Sequence, residues 1–363
     1  MPFRTPVCDL FGIERPIFGF AHSVAVTAAI SRAGGLGVYG ATMDEPEEIA
    51  EKARQLRALC GDRPFGIDPL PPSAVGDETD RAKVQADLPQ GHKDFVAGLA
   101  EKYAVPPPTA KGFYGRNVRS QTLFRRQVEA ALASEADVFA AAVGVPPAVI
   151  AEAKAAGKRT ISLVGAVRHA EKAVAAGVDL IVAQGHDAGA HTGPIGTFSL
   201  VPQVVDAAGG VPVLAAGGVG HGRHVAAALA LGAQGVWLGT AWLTSAEHAL
   251  EPITLAKPLA AGSEDTVISR SYSGKTLRMI RTAWSEEWSA PGAPEPLPMP
   301  FQQVLIGDFL TAVREHRVAP LMWEAAGQSV AWFREVRTVA EIMGRLCDEA
   351  DAALAALPRP SAA

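Results

Sequence analysis

Asp179-Leu180-Ile181-Val182-Ala183-Gln184-Gly185-His186-Asp187-Ala188-Gly189-Ala190-His191-Thr192-Gly193 is the stretch that decides the fold. Residues 179–183 form an apolar run of strand length, as expected of a strand buried on both faces. The remainder is a loop with glycines at 185, 189 and 193, where the backbone can turn sharply and approach something flat or charged. Two histidines and one acid stand among them. A reactive loop at the C-terminal end of a strand is where an α/β barrel keeps its chemistry.

Outward from this loop, the chain alternates short apolar runs with helical patterns. Strands are predicted at 16–20, 36–40, 65–69, 137–141, 160–164, 179–183, 211–215 and 234–238. Helices are predicted at 24–32, 45–59, 118–134, 147–156, 167–176, 199–208 and 222–231. The helix at 45–59 carries acids in its first turn and arginines later, as the helix dipole favours. Gly157 and Gly177 close the helices before them. Eight strands alternating with helices imply an α/β (β/α)8 TIM barrel with a parallel closed sheet.

The rhythm breaks twice. Residues 69–116 are rich in proline and charge, with Pro71-Pro72 and Pro106-Pro107-Pro108. This is an insertion after strand three, read as a surface excursion or as a lid over a pocket. From 246 to 363 the chain is irregular and then helical. Residues 286–300 hold five prolines and read as a linker. Helices follow at 301–314 and 330–357, the latter with a core-facing stripe at Val336, Val339, Ile342, Met343 and Leu346. The expected division is a barrel domain at 10–245 and an extension at 246–363 packing on it.

Composition bounds the function. The chain has 363 residues, 48% apolar and 20% charged, enough for a large core. A net charge of −5 without a basic block argues against nucleic acid. Apolar runs stop well short of the roughly 18 residues of a membrane span. Residues 1–5 lack a signal-peptide h-region. Three scattered cysteines, Cys8, Cys60 and Cys347, form no metal pattern and cannot all pair. A reducing cytoplasm is the expected compartment. The tail and last helices offer a surface for a second copy, so a homo-oligomer is left open.

Ala215-Ala216-Gly217-Gly218-Val219-Gly220 follows strand seven and opens a helix, and Gly239-Thr240 follows strand eight. Adjacent strand ends with glycines and fresh helical amides form a phosphate cradle in this fold. Gly217 and Gly218 let amides approach phosphate oxygens, and Thr240 adds a hydroxyl. The phosphate belongs either to a flavin mononucleotide or to a sugar phosphate, the latter implying a flavin-free lyase or isomerase.

The chain resembles the nitronate monooxygenases, formerly called 2-nitropropane dioxygenases, and their FMN-dependent enoyl-reductase relatives. The resemblance rests on 33–37, on 182–185 through His191-Thr192-Gly193, and on 212–219, 232–240 and 273–278. It spans roughly residues 10 to 285. It implies FMN as cofactor and a small-molecule substrate oxidised with O2, a nitronate or nitroalkane giving a carbonyl compound and nitrite. His191 matches the catalytic histidine, a base suited to neutral pH. Gln184 is expected at the flavin ring or ribityl chain, with Gly189 and Ala190 letting the loop pass near it. Phe20 and Ala21, in Phe20-Ala21-His22-Ser23, stand where the family shows Pro-Met-Ala-Gly or similar. Asp68 replaces an asparagine and can only accept a hydrogen bond. Asp187 stands where glutamate is common, and either orients a histidine or caps a turn. His186 and His191 lie five apart, which is not the spacing of a zinc pair, and no metal is expected. His22, Tyr114, Arg116 and His169 read first as surface or packing residues, and Trp237, Trp242, Trp284 and Trp288 as core or tail-packing aromatics. A second function is kept: an FMN-dependent NAD(P)H reductase acting on an enoyl thioester or quinone.

Overall fold

The computed structural model describes residues 4–69, 76–141 and 146–357. Eight strands close a parallel barrel: β1 Ile17–Ala21, β2 Leu36–Gly40, β3 Phe65–Asp68, β4 Val138–Ala141, β5 Arg159–Val164, β6 Leu180–Gln184, β8 Val213–Ala216 and β9 Gly235–Leu238. The two-residue strand β7, Ala190–His191, lies outside the barrel. β9 returns to β1 with Ile17 opposite Val236, which closes the sheet. Predicted and observed strands differ only by a residue or two at their ends.

The apolar runs are continuous because alternate residues face two different cores. On β6, Leu180 and Val182 join the barrel interior with Phe18, Val38, Leu214 and Trp237. Ile181 and Ala183 face outward into a core shared with the helices. Phe11, from the helix Pro6–Phe11, packs edge-on against Phe18 at 5.3 Å. Phe18 and Phe20 both stack on Trp237, at 6.5 and 6.3 Å. This aromatic column fills the barrel interior.

The expected excursion at 69–116 is more ordered than its composition implies. Residues 70–75, including Pro71 and Pro72, lie outside the described residues. The rest forms helices Arg81–Ala86, Gln90–Lys102 and Phe113–Arg116. Val84, Leu88, Val96 and Leu99 share a core with Val304, Leu305, Phe309 and Val313 of the helix Phe301–Glu315. The two irregular regions therefore stabilise each other, a pairing invisible to local periodicity because the partners lie about 200 residues apart.

The extension also holds an unpredicted hairpin, β10 Thr266–Ser269 and β11 Leu277–Ile280. β11 pairs with β7, placing Leu277 opposite His191 and Arg278 opposite Ala190. The predicted helix at 330–357 is shorter and begins at Val339. Thr338 caps it, accepting from Glu341 N, while the Glu341 carboxylate accepts from Thr338 N. Val336 therefore falls before the helix and is 49% exposed, whereas Val339, Ile342, Met343 and Leu346 are buried as expected. This last helix packs against Gly222–Ala230 and Val24–Arg32, the helices following β8 and β1. It takes the place of the eighth outer helix, about 100 residues after the strand it follows.

Among the described residues, no helix is long and apolar enough to cross a membrane. Cys8, Cys60 and Cys347 are buried free thiols. Trp237, Trp242, Trp284 and Trp288 are buried, as read from the sequence.

Candidate active site

The loop that leaves β6 is tied to itself. Gln184 Nε2 donates to His191 O at 2.8 Å, and Thr192 Oγ1 donates to Gly185 O at 2.8 Å. The His186 ring pairs through Nδ1 with Gly193 O at 2.8 Å. Asp187 Oδ2 accepts from Thr197 N at 2.9 Å, at the start of the helix Thr197–Ala207. Of the two readings of Asp187, the cap is the one present, and the helix dipole favours its charge there.

The hairpin holds the loop from outside. Buried Arg278 donates from Nε and Nη2 to His186 O, at 3.1 and 3.0 Å, and from Nη1 to Thr266 Oγ1 at 3.1 Å. Gly189 packs directly on Ala326 and Gly327, and an added Cβ would come within 2.7 Å of their backbone. The glycine at 189 is thus explained by the extension pressing on the loop. Ala190 has φ +60°, a left-handed conformation that is costly for a residue with a Cβ. It turns the chain so that the next residue faces the barrel mouth side of the hairpin.

That residue is His191. Its Nδ1 lies 3.1 Å from Thr276 O, and its Nε2 lies 3.5 Å from Ser273 Oγ. A carbonyl only accepts, so Nδ1 carries the proton and Nε2 presents a lone pair. Burial pushes the His191 pKa down to about 4, reinforced by Lys275 and Arg119 and opposed by the Thr276 carbonyl. By surface His191 is half-buried. Burial also lowers Lys275, with Arg119 adding to the effect. Arg119 donates to Thr42 O at 2.6 Å, near the start of the loop after β2. Tyr272 walls the hairpin tip, edge-on to Trp323 at 5.0 Å and to Tyr114 at 6.1 Å.

The remaining sequence-predicted residues stand at the C-terminal ends of barrel strands. Phe20 and Ala21 end β1, and buried Asp68 ends β3 opposite Gly40. His22 pairs through Nδ1 with Gly40 O at 2.7 Å, and burial lowers its pKa. Tyr114 is buried and its hydroxyl accepts from Gln303 Nε2 at 2.8 Å, so it packs as expected. Arg116 and His169 sit on the helices Phe113–Arg116 and Val167–Ala175.

Gly217 and Gly218 follow β8 with φ +95° and +77°, and Gly239 leads from β9 into a short turn at Thr240–Trp242. A Cβ at Gly217 would sit 2.8 Å from Ala188 N. A glycine turn of this kind can point successive backbone amides at phosphate oxygens. Thr240 Oγ1 accepts from Gly327 N at 2.8 Å, which leaves its own O–H to donate. These residues fit a mononucleotide phosphate. Ser273, Lys275, Thr276, Arg278 and Arg119 are the site groups that residue-level reading of the sequence missed. The Ser-Gly-Lys-Thr run at 273–276 was visible, but its contact with His191 crosses 82 residues.

Comparison with known proteins agrees with this geometry. The family model described as nitronate monooxygenase matches residues 4–349. A candidate monooxygenase of Mycobacterium tuberculosis, Rv1533, is 41% identical over 94% of this chain and 92% of its own. The nitroalkane oxidase of Streptomyces ansochromogenes superposes with a TM-score of 0.81 at 27% identity, covering 97% of this chain and 99% of its own. FabK of Thermotoga maritima superposes at 0.75 with 27% identity, covering 97% and 98%.

Proposed function

This chain belongs to the nitronate monooxygenase family, and on that premise we propose that it oxidises anionic nitronates, with O2, to carbonyl compounds and nitrite. It is an FMN-dependent oxidoreductase of the monooxygenase type. FMN, when bound, supplies the electron acceptor through which the substrate's electrons reach O2. The barrel of residues 10–245 carries the cofactor and the extension of 246–363 closes the site. Gly217, Gly218, Gly239 and Thr240 hold the phosphate. Gln184, Ala190, Phe20, Ala21 and Asp68 border the flavin, and Gly189 serves the loop's packing.

The observation that carries this reading is the state of His191. Its Nδ1 proton is held by Thr276 O, and its Nε2 lone pair faces Ser273. With a pKa of about 4, it is neutral throughout the physiological range. So acidic an imidazolium makes a weak base for an unactivated C–H bond. A neutral imidazole beside Lys275 and Arg119 instead suits a substrate that arrives as an anion. Lys275 and Arg119 supply the positive field, the Ser273 hydroxyl beside Nε2 donates to a nitro oxygen, and the Tyr272–Trp323 wall excludes water. Nitronates are therefore the preferred substrates over nitroalkanes.

The likeness to FabK supports a second reading, an NAD(P)H reductase of an enoyl thioester or quinone on the same cofactor. Anaerobic titration of the yellow protein separates the two. Bleaching by a nitronate alone supports the proposal. Bleaching by NADH or NADPH, with none by nitronates, overturns it.

A further inference from the structure

The loop from Gly217 to Gly222 is held by the last helix of the chain. Glu349 Oε2 accepts from Gly222 N at 2.8 Å and lies 3.3 Å from His221 Nδ1. Arg345 donates from Nη2 to Gly220 O and from Nη1 to Glu349 Oε1, both at 3.3 Å. A Cβ at Gly222 would come within 2.2 Å of Ala350 N, so this glycine admits direct contact between the two helices. Trp332 packs edge-on against His221 at 4.9 Å.

Glu349 therefore occupies the first amide of the helix Gly222–Ala230, the position where this type of helix would draw an anion. The phosphate is left to the turn amides at 217–218 and 239–240. Arg345 fixes the carbonyl at 220, just past those turns, and completes a three-residue clamp on the loop. We infer that Glu349 and Arg345 are positioning residues for the cofactor phosphate: the C-terminal helix sets the shape of the 217–222 loop, and so the affinity for FMN over flavin without phosphate. This rests on the FMN reading above.

The test measures Kd for FMN and for riboflavin, by flavin fluorescence, on apoprotein of the wild type, Glu349→Ala, Glu349→Gln, Arg345→Met and Leu346→Ala. Glu349→Ala is expected to weaken FMN about tenfold while riboflavin binding stays the same, so the preference for the phosphate falls. Glu349→Gln keeps an acceptor for Gly222 N and is expected to restore most of the affinity. Leu346→Ala loosens the same helix without removing any of its hydrogen bonds to the loop and is expected to lower Tm but preserve the preference. Equal loss of preference in Leu346→Ala, or tighter FMN binding in both Glu349 variants, overturns the clamp. If Glu349→Ala does not fold, an unchanged preference in Arg345→Met overturns it instead. A wild type that binds riboflavin and FMN equally overturns it as well. One that binds neither flavin overturns the cofactor reading first.

Discussion

His191 and Thr276 are joined by a hydrogen bond of 3.1 Å from the imidazole Nδ1 to a backbone carbonyl 85 residues further along the chain. That bond decides the tautomer and aims Nε2. It exists because β7 pairs with β11, with Leu277 set opposite His191. The proposed catalytic histidine is thus oriented by backbone, which makes its geometry insensitive to side-chain changes at 276.

Removal of the imidazole tests its role. His191→Asn keeps a polar group of similar reach but lacks the Nε2 base. It is expected to lower kcat/KM for nitronates up to about a hundredfold, since a nitronate arrives already deprotonated and what is lost is the group that positions Ser273 and the substrate. FMN content should stay at the wild-type level, since the phosphate turns are elsewhere. Retained turnover with lost flavin would reverse the assignment.

The pH profile follows from the depressed pKa. His191 titrates at about 4 rather than at the ordinary 6.5. Between those values the unfolded chain carries a proton that the native state lacks, so native stability falls as pH drops through that window and is fully retained above 6.5. Corrected for the nitronate's own protonation, kcat/KM should be level at neutral pH, with an acid limb near 4. The limb in kcat should lie higher, because a bound anion favours the imidazolium. Stopped-flow reduction across this range measures both, and a kcat/KM limb at the ordinary histidine value would contradict the burial argument.

Ala190 gives a prediction on stability. Its left-handed φ of +60° costs about 1 kcal/mol or more relative to glycine. Ala190→Gly relieves this but adds unfolded-state entropy of up to about 1 kcal/mol, so the net change should be near zero or slightly stabilising. Ala190→Val puts a β-branched side chain at the same φ and should cost about 2 kcal/mol. Equilibrium denaturation of the two variants checks the contrast.

Much of this fold can be read from local pattern. The eight barrel strands are continuous apolar runs, and glycines close helices such as Pro147–Ala155 and Val167–Ala175. The turns proposed to hold the phosphate stand out in the sequence because Gly217-Gly218 and Gly239-Thr240 follow adjacent barrel strands. What escaped was long-range. β7 is two residues long, too short for any periodicity, and its partner β11 lies beyond the barrel. The insertion helix Arg81–Ala86 is under two turns and is stabilised by a distant helix rather than by its own pattern. The eighth outer helix was recognisable as a helix, but its place beside Gly222–Ala230 was not.

Arg278 joins these long-range contacts to catalysis. It holds His186 O through two N–H groups of one planar fork, one residue along β11 from the partner of His191. Arg278→Lys keeps the charge but offers a single rotating ammonium in place of the fork. The loop carbonyl then loses part of its satisfaction, which should cost about 1–3 kcal/mol of stability. A small shift of a positioned catalytic group can lower the rate up to about a hundredfold, so kcat should fall at least several-fold at full FMN occupancy. The acid limb of the profile should also move up towards the ordinary histidine value, because a looser hairpin admits water to the imidazole. A purely structural role for Arg278 predicts a lower Tm with the limb unmoved, and the pH profile of Arg278→Lys at constant flavin content distinguishes the two.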